Sequence, residues 1–461
     1  MIWHIAKREL YDNLNSLRFA LATALLLALM LTNAVVHLRE HPGRIQEYRT
    51  SATDYWNALT PRTDLYELAQ KGPGFLYKKP SPLRFCAEGG EAFLSNRVDA
   101  GYVYWGMDDL KGFWSVAYPS STPNLTNVRP DVTKIDWGFI VGYVLSLIVL
   151  LFTFDSISGE RERGTLRLML ANPMPRHIVL IGKFLGALMS ILVPFTFAVL
   201  INLFVISVSG DVQLDAEAWG RLSIIFIVAV LYTGLFIALG LLVSSRVRQS
   251  AVSLVILLLT WVTFVVFMPN TLASIATGFS PAPMTSDEFM ERKNQLHNNR
   301  WRETYSMRDK PMKLSKFVIN DAEDQERLNQ EHLTQQIAQV EVARAATRIS
   351  PAALVQHLLE SFAGTGFSRH LQFLENVRQY VRQYREFVID TDSADPDSPH
   401  FIGISEGISR KPVSPESIPR FEDSLSLSRD FNDAAIDLML LMLLVLVLMS
   451  GAYLVFVRAQ V

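Results

Sequence analysis

A dense group of charged side chains lies between two long apolar stretches of the sequence. The run from Asp155 to Leu166 reads Asp-Ser-Ile-Ser-Gly-Glu-Arg-Glu-Arg-Gly-Thr-Leu, so acidic and basic residues alternate at its centre. Such a run can form specific ion pairs with another protein, or it can be a solvated turn beside lipid headgroups. Composition alone leaves both interpretations open. A charged turn between two membrane-length segments is also where a membrane protein meets a soluble one, which favours a role in transmitting motion.

The sequence lacks the motifs that would let this chain catalyse a reaction. Gly159 and Gly164 have the glycine spacing of a phosphate-binding loop, but Thr165 stands where that loop requires lysine. The sequence contains no Gly-x-Ser-x-Gly and no His-Glu-x-x-His motif, and its one cysteine, Cys86, excludes an intrachain disulfide. No Cys and His residues have zinc-binding spacing. We therefore expect no catalytic, cofactor-binding or metal-binding residues in this chain.

The elements that would position the charged run are long apolar segments. Hydrophobic residues make up 49% of the 461-residue chain and occur in blocks. A run of about 18 or more apolar residues is long enough to cross a bilayer core. The sequence contains six such runs: Leu17–Val36, Trp137–Phe154, Ile178–Val208, Leu222–Val243, Ser250–Met268 and Ala434–Phe456. The predicted fold class is therefore mainly α, a polytopic membrane protein with six transmembrane helices.

The distribution of charge predicts the orientation of these helices. Basic residues flank the spans on one side of the predicted bundle: Lys7, Arg8, Arg18, Arg161, Arg163, Arg167, Arg176, Arg246, Arg248 and Arg458. The loop between the third and fourth spans instead carries Asp211, Asp215 and Glu217. Because positive loops stay on the cytoplasmic side, both termini are predicted to be cytoplasmic.

Spans and loops together predict the organisation of the chain. The first residues form an amphipathic helix in the membrane interface, either a simple anchor or a contact for a cytoplasmic partner, with Trp3, Lys7, Arg8 and Leu10 as its characteristic residues. The predicted boundaries are 1–16 for this helix, 17–36 for the first span, 37–134 for a first extracytoplasmic domain, 135–276 for spans two to five, 277–433 for a second extracytoplasmic domain and 434–456 for the last span.

The two extracytoplasmic segments differ in character. Residues 37–134 contain turn-rich stretches and short apolar runs, which predict a small mixed α/β domain. Residues 277–433 contain a long stretch without proline or glycine from Lys316 to Arg348, a new helix starting at Ser350-Pro351 and a third helical run at Ser368–Val388. The second domain is therefore predicted to be larger and mostly helical.

Polar residues inside the spans are few, and we see no charged residue at mid-membrane. This pattern weighs against a proton-driven or sodium-driven carrier. Asn33, Asn202 and Thr233 are predicted to bond neighbouring helices, although Asn202 could instead line an interface between protomers. A net charge of −2 without a basic face argues against nucleic-acid binding.

The charged run and the residues after it resemble a family signature. Gly159–Leu166, then Leu170 and Pro173 through Lys183, resemble the signature of type-2 ABC exporter permeases, the transmembrane subunits of bacterial ABC transporters. The long insertion before the last span resembles a subgroup of this family. Stretches that carry this second resemblance are Pro80–Leu83, Ser350–Leu354 and Gly451–Arg458.

The resemblance implies partners and a site. A coupling helix at about 156–172 would sit in a cleft of a separate ATPase subunit, which would be present in two copies and would bind ATP and Mg²⁺. A second permease, identical or related, would complete the assembly in the bacterial inner membrane. The implied ATPase-coupling residues are Glu160, Arg161, Glu162, Arg163, Gly164, Thr165 and Leu166.

Two functions remain open at this point. One is an exporter permease that moves or extracts an amphipathic or lipid-like substrate. The other is a mechanotransmission subunit that drives the extracytoplasmic domains without moving cargo, an alternative motivated by the size of the second such domain. A periplasmic or outer-membrane partner is left open with either function. A membrane enzyme lacks any residue set that could act.

Overall fold

The structure is a computed structural model of the whole chain. It describes residues 2–60, 64–88, 94–101, 135–166, 175–209, 212, 214–279, 284–307, 309–404 and 407–458. Asp211 of the predicted loop therefore lies outside the described residues. The predicted run without proline or glycine, Lys316–Arg348, lies within them.

The N-terminal half alternates helices with one small sheet. Its elements are α1 (Ile2–Leu14), α2 (Leu17–Leu59), α3 (Leu65–Lys71), β1 (Phe75–Tyr77), β2 (Arg97–Asp99), α4 (Trp137–Phe139), a π-helical turn (Ile140–Leu145), α5 (Ser146–Thr153), α6 (Ser158–Glu162), α7 (Arg176–Val208) and α8 (Ala216–Arg246). Strands β1 and β2 pair antiparallel, with Leu76 opposite Val98.

The C-terminal half is helical throughout its named elements, apart from an isolated bridge between Asp64 and Pro412. It consists of α9 (Ser250–Trp261), a π-helical segment (Val262–Phe267), α10 (Met268–Phe279), α11 (Ser286–Ser306), α12 (Pro311–Thr347), α13 (Pro351–Ala363), α14 (Gly366–Ser393), a 3₁₀ turn (Pro415–Ser417) and α15 (Leu427–Arg458).

Six helical segments are long and apolar enough to cross a membrane. They are Leu17–Leu59, Trp137–Glu162, Arg176–Val208, Ala216–Arg246, Ser250–Ala276 and Leu427–Arg458. The mainly helical architecture with six spans that the sequence predicts is therefore confirmed. Several helices extend beyond their apolar runs, because polar residues that are good helix formers continue the hydrogen-bond ladder past the bilayer boundary.

The first span belongs to a single long helix. α2 has 43 residues and contains Pro42, and its side-chain cap is Ser16, whose hydroxyl accepts from the backbone of Phe19. The apolar run ends near Val36, but the helix continues to Leu59. The predicted boundary at residue 36 therefore marks the end of the apolar run but not the end of the helix.

α1 and the last turn of α15 lie at one end of the bundle, which we call the terminal end. There Arg176, at the start of α7, donates to the carbonyl oxygen of Phe456 near the end of α15 at 3.1 Å. α1 packs along α7 at the same end. The opposite end carries the distal domain. We use this name for the described residues between the apolar part of α2 and the second span, and between the fifth and sixth spans.

The distal domain has one hydrophobic core to which both predicted extracytoplasmic segments contribute. Leu59, Leu65 and Leu68 of the first segment pack with Phe373 and Tyr380 of the second. Described residues of the two predicted extracytoplasmic segments therefore pack together in one core. Residues 89–93 and 102–134 of the first segment lie outside the described residues.

α13 is buried on all sides where the distal domain meets the spans. Every residue from Ala352 to Ala363 is buried. The Ser350 hydroxyl, which caps this helix, donates to the carbonyl oxygen of Phe264 in the fifth span at 2.7 Å. Val355 also approaches Gly142 in the second span. α13 therefore fills the distal end of the bundle between several spans.

Candidate coupling site

The charged run forms a short helix against the terminal end of the bundle. α6 (Ser158–Glu162) follows the second span through a turn. The Ser244 hydroxyl at the end of α8 accepts from the backbone N–H groups of Ile157 and Ser158, each at 3.0 Å. These donors would otherwise lack partners, since the first turn of a helix has no intrahelical acceptor for them. Ser244 therefore fixes the start of α6.

Lys183 joins three elements at this site. Its side chain is only 2% exposed and extends from α7. The ammonium Nζ lies 2.9 Å from Glu160 Oε1 on α6 and 2.6 Å from Glu9 Oε1 on α1. A buried ammonium needs such charged partners, because removing it from water without them is costly. α1, α6 and α7 are thus linked through one cation.

α1 approaches α7 closely at two glycines. A Cβ atom at Gly182 would lie 2.8 Å from Ile5 Cβ, and one at Gly186 would lie 2.6 Å from Glu9 Cβ. Neither position therefore accommodates a larger residue without displacing α1. This close approach brings the Glu9 carboxylate within reach of Lys183.

Arg161 and Glu162 connect α6 to the link between the fourth and fifth spans. The Arg161 guanidinium donates to the carbonyl oxygens of Val247 and Ser245 at 3.2 and 3.3 Å. The Glu162 carboxylate accepts from the Ser250 backbone N–H at 3.0 Å and from the Ser250 hydroxyl. Ser250 is the first residue of α9, where an anionic group also interacts favourably with the helix dipole.

The remaining predicted coupling residues divide between the surface and the interior. Arg163, Gly164 and Thr165 are exposed, and Gly164 has a positive φ of 73° with nothing near its missing Cβ. The Arg163 guanidinium donates to the Gly159 carbonyl oxygen at 3.1 Å. Leu166 is 1% exposed. Residues 167–172 of the predicted coupling helix lie outside the described residues.

The predicted interfacial residues of α1 lie mostly on its outer surface. Trp3, Lys7 and Arg8 are exposed and Leu10 is half-buried. The face that packs on α7 instead contains Ile5 and Ala6, with Glu9 and Asn13. Trp3 on the outer face is 59% exposed.

The three polar residues predicted within the spans have different partners. Asn202 Nδ2 donates to Asn33 Oδ1 at 2.9 Å and to the Met30 carbonyl oxygen at 2.7 Å, so it bonds α7 to α2. Asn33 Nδ2 donates to the carbonyl oxygens of Phe85 and Ile135. The Thr233 hydroxyl bonds to its own helix at Ala229.

The sequence analysis missed the role of Lys183. A detectable signal was the pair of glycines at Gly182 and Gly186, because small residues four apart allow close helix packing in membranes. Lys183 itself lies within an apolar run, where a lone cation calls for a partner. Its second partner, Glu9, could not be found from sequence because it depends on how α1 packs.

A buried ion pair joins two spans, and hydrogen bonds from its two residues reach the distal domain. Arg221 of α8 and Asp430 of α15 are 4% and 2% exposed, and their side chains pair at 2.6 Å. Arg221 also donates to the Phe362 carbonyl oxygen of α13 at 3.3 Å, and Gln372 of α14 donates to Asp430. The fourth and sixth spans are thus bonded to two helices of the distal domain.

Neither a reaction centre nor a metal centre stands out in the part of the chain that the structure describes. Within it, no group of three or more His, Cys, Asp or Glu side chains could hold a metal ion. At the terminal end, α6 is hydrogen-bonded directly to α7, α8 and α9, and through Lys183 to α1. Six spans and this bonded charged turn define a multi-pass helical membrane protein with a candidate coupling element.

Comparison with known proteins identifies the family. Residues 3–461 match the sequence profile described as ABC-2 family transporter protein. The chain therefore belongs to the ABC-2 transporter family, a family of ABC transporter permeases, and the family resemblance seen in the sequence is confirmed. Permease subunits of this family are not themselves enzymes.

Two similar proteins are each described as a probable ABC transporter permease protein NosY. The one from Stutzerimonas stutzeri is 27% identical over 168 residues, which cover 35% of this chain and 58% of that protein. The one from Pseudomonas aeruginosa is 32% identical over 167 residues, with the same shares covered. The matched part of the chain thus spans somewhat more than half the length of these relatives.

Proposed function

We propose that this permease transmits motion from a separate ATP-binding-cassette ATPase to the membrane and exports or extracts an amphipathic substrate. The ATPase binds ATP and Mg²⁺ and is present in two copies. A second permease, identical or related, completes the assembly. The protein lies in the bacterial inner membrane with both termini in the cytoplasm, so that the terminal end faces the ATPase.

The bonding of α6 is the observation that carries this proposal. A force on an isolated loop would bend the loop alone. α6 is instead bonded through Lys183 to α1 and α7, and through Arg161 and Glu162 to the α8–α9 link. Displacement of α6 by the closing ATPases therefore moves these elements together. This supports a rigid-body response of the spans, which opens a path outward.

The predicted coupling residues have two different roles in this proposal. Arg163, Gly164 and Thr165 are exposed and contact the ATPase cleft directly. Glu160, Arg161 and Glu162 bond within the permease and carry the force onward, as does buried Leu166. Binding and transmission are therefore separable by mutation.

The test is assembly and ATPase activity of the permease with candidate ATPase subunits in lipid nanodiscs. Arg163→Glu is expected to prevent co-purification, because it reverses an exposed charge at the contact. Lys183→Met is expected to leave co-purification intact and to abolish the change in ATPase rate that the permease causes. Glu416→Lys, an exposed reversal at the opposite end, is the control and should change neither.

Failure to recover any ATPase with the wild-type permease would rule out the proposal. Equal effects of Arg163→Glu and Glu416→Lys would remove the assignment of α6 as the contact element. If folded Lys183→Met no longer bound the ATPase, ATPase binding and force transmission would not be separable roles.

A second function is mechanotransmission without movement of cargo. It is favoured by the dense packing between the spans and the distal domain, where α13 is buried and Arg221 pairs with Asp430. Spans two and four are also each 67% buried within a single copy. An exporter requires a substrate-sized path between protomers, so cross-links between the spans of the two protomers that leave ATP-driven function intact would favour mechanotransmission.

A further inference from the structure

A groove with a volume of about 150 Å³ opens on the distal domain. It lies between the distal half of α2, strand β1 and the segment that leads into α15. Aromatic rings form most of its walls: Tyr48, Tyr55, Trp56, Phe75, Tyr77 and Phe421. We call this the aromatic groove.

The α2 side of the groove contains a notch. Tyr48, Ala52 and Tyr55 are spaced by four and three residues, so they lie on one face of the helix. Ala52 leaves a gap between two tyrosine rings that a larger side chain would fill. The Tyr55 hydroxyl bonds the hydroxyl of Tyr380, whose oxygen also lies 3.1 Å from the Pro419 carbonyl oxygen. These bonds hold one side of the notch in place.

The opposite side of the groove presents a cation. The Arg420 guanidinium lies over the Trp56 ring, with its carbon 4.1 Å from the ring centroid. The side chain is exposed, and no carboxylate among the described residues pairs with it. Asp423, close by in sequence, is occupied by Arg369. Stacking orients the guanidinium fork, which matches a carboxylate in geometry and charge.

Size and position indicate the class of ligand. Pockets for small molecules usually enclose about 300–1,000 Å³, so this groove is too small for a whole drug-sized molecule and suits one or two side chains. Tyr48 follows Val36 by twelve residues, which corresponds to about 18 Å of helix, so bilayer lipids do not reach the groove. Aromatic residues and arginine are enriched at protein interfaces, and aromatic-lined grooves bind proline-containing segments.

We propose that the aromatic groove binds a short extended segment of a protein partner that contains proline and an acidic residue. The proline ring enters the notch over Ala52, between Tyr48 and Tyr55. The carboxylate of the acidic residue pairs with Arg420. The partner is extracytoplasmic, and this part of the inference rests on the proposed topology.

The test uses the full-length permease in nanodiscs, where both sides are accessible. The probe is a capped, fluorescently labelled peptide of repeating Pro-Pro-Glu units, and the comparison peptide has Lys in place of Glu. Fluorescence anisotropy is expected to show the Glu peptide binding at least about tenfold more tightly, a difference of about 1.4 kcal/mol. Because no ATPase is present, this result is independent of the coupling proposal.

Two variants locate the site. Ala52→Leu fills the notch and is expected to weaken binding of the Glu peptide about tenfold or more, again about 1.4 kcal/mol. Arg420→Glu is expected to reverse the preference between the two peptides. The matched controls are Ala58→Leu, on the exposed face of α2, and Arg410→Glu, whose guanidinium stacks on Tyr66 outside the groove. Both controls should bind the Glu peptide as the wild type does.

The proposal is overturned if neither peptide binds the wild-type protein. It is also overturned if Ala52→Leu binds the Glu peptide as tightly as Ala58→Leu does. Equal binding of both peptides would remove the carboxylate contact with Arg420.

Discussion

The charged run at the terminal end contains side chains that are hydrogen-bonded within the protein beside side chains that are exposed. Glu160 and Glu162 have the composition of a solvated turn, yet their carboxylates accept hydrogen bonds from Lys183 and Ser250. The sequence predicts a functional role for this run, but it does not predict which of its charged side chains are hydrogen-bonded within the protein. That distinction depends on residues more than eighty positions away for Glu162, so local spacing could not provide it.

The first residue-scale prediction concerns Glu162. Glu162→Lys places a cation at the N-terminal end of α9, where it repels the helix dipole and loses the bond to Ser250. We expect a several-fold loss of the permease-dependent change in ATPase rate with little change in thermal unfolding. Glu162→Gln keeps one acceptor oxygen and is expected to retain most coupling. Similar activity for both variants and the wild type would contradict this prediction.

The second residue-scale prediction concerns pH. Asp136 caps α4, accepting backbone N–H groups from Phe139 and Glu88 at 2.7 and 2.8 Å, and burial raises the pKa of its carboxyl to about 7. An unfolded chain has a pKa of about 3.9 for this group. The folded state therefore holds the proton more tightly, so this contribution to stability is complete below about pH 4 and is lost as pH rises through 7.

Asp136→Asn should remove that pH dependence. Thermal unfolding in nanodiscs between pH 5 and pH 8 measures it, with a slope of up to about 1.4 kcal/mol per pH unit in the wild type. The variant is expected to give a flatter profile over this range. An unchanged slope would mean that another group dominates the titration.

At the scale of elements, the spans were predictable and their contacts were not. Each span is a long apolar run, a local property that sequence records directly. α13 has only 13 residues and includes Gln356, His357 and Glu360 among its apolar residues, so its sequence indicates a buried helix but not its neighbours. Its neighbours come from spans on both sides of it in sequence. The contacts between the two extracytoplasmic segments in the distal domain depend on tertiary packing in the same way.

The element-scale prediction tests the contact between α1 and α7. Gly186→Val places carbon atoms within 2.6 Å of Glu9 Cβ and 3.1 Å of the Ala6 carbonyl oxygen. Overpacking of this kind costs about 1–3 kcal/mol and should displace α1 from Lys183. We expect lower thermal stability and loss of coupling to the ATPase.

The matched control is Gly220→Ala. Gly220 lies in α8, where an added Cβ meets nothing within 4 Å. Alanine favours helix over glycine by up to about 1 kcal/mol, so stability should stay the same or rise. A Gly186→Val protein as stable and as well coupled as this control would show that α1 is a passive anchor.

At the scale of the whole molecule, spans and distal domain form one bonded structure. Arg221 has two acidic partners that differ in environment. Asp430 is 2% exposed and lies on another span, whereas Glu217 is 46% exposed and lies one turn away on the same helix. The Arg221–Asp430 pair is a buried link between two spans, whereas the Arg221–Glu217 pair is a partly exposed ion pair within one helix.

We expect Asp430→Asn to lower the free energy of unfolding by up to about 3–5 kcal/mol, because it removes the buried one of the two charged partners of the Arg221 guanidinium. Glu217→Gln should cost at most about 1 kcal/mol. A double-mutant cycle with Arg221→Gln measures the pairwise energy for each partner by thermal unfolding in nanodiscs. Equal coupling energies for the two partners would contradict a special role for Asp430.

The continuity of α2 has a geometric consequence. The helix has 43 residues, so it is about 64 Å long, and a tilt of about 5° at its base displaces its far end by about 6 Å. Its base is paired to the charged run through Arg18 and Asp155, and its far end forms a wall of the aromatic groove. α2 therefore connects the terminal end of the bundle to the aromatic groove as one continuous helix, so it can act as a lever between them. By thermodynamic reciprocity, anything that grips the tip of that lever also biases the angle at its base.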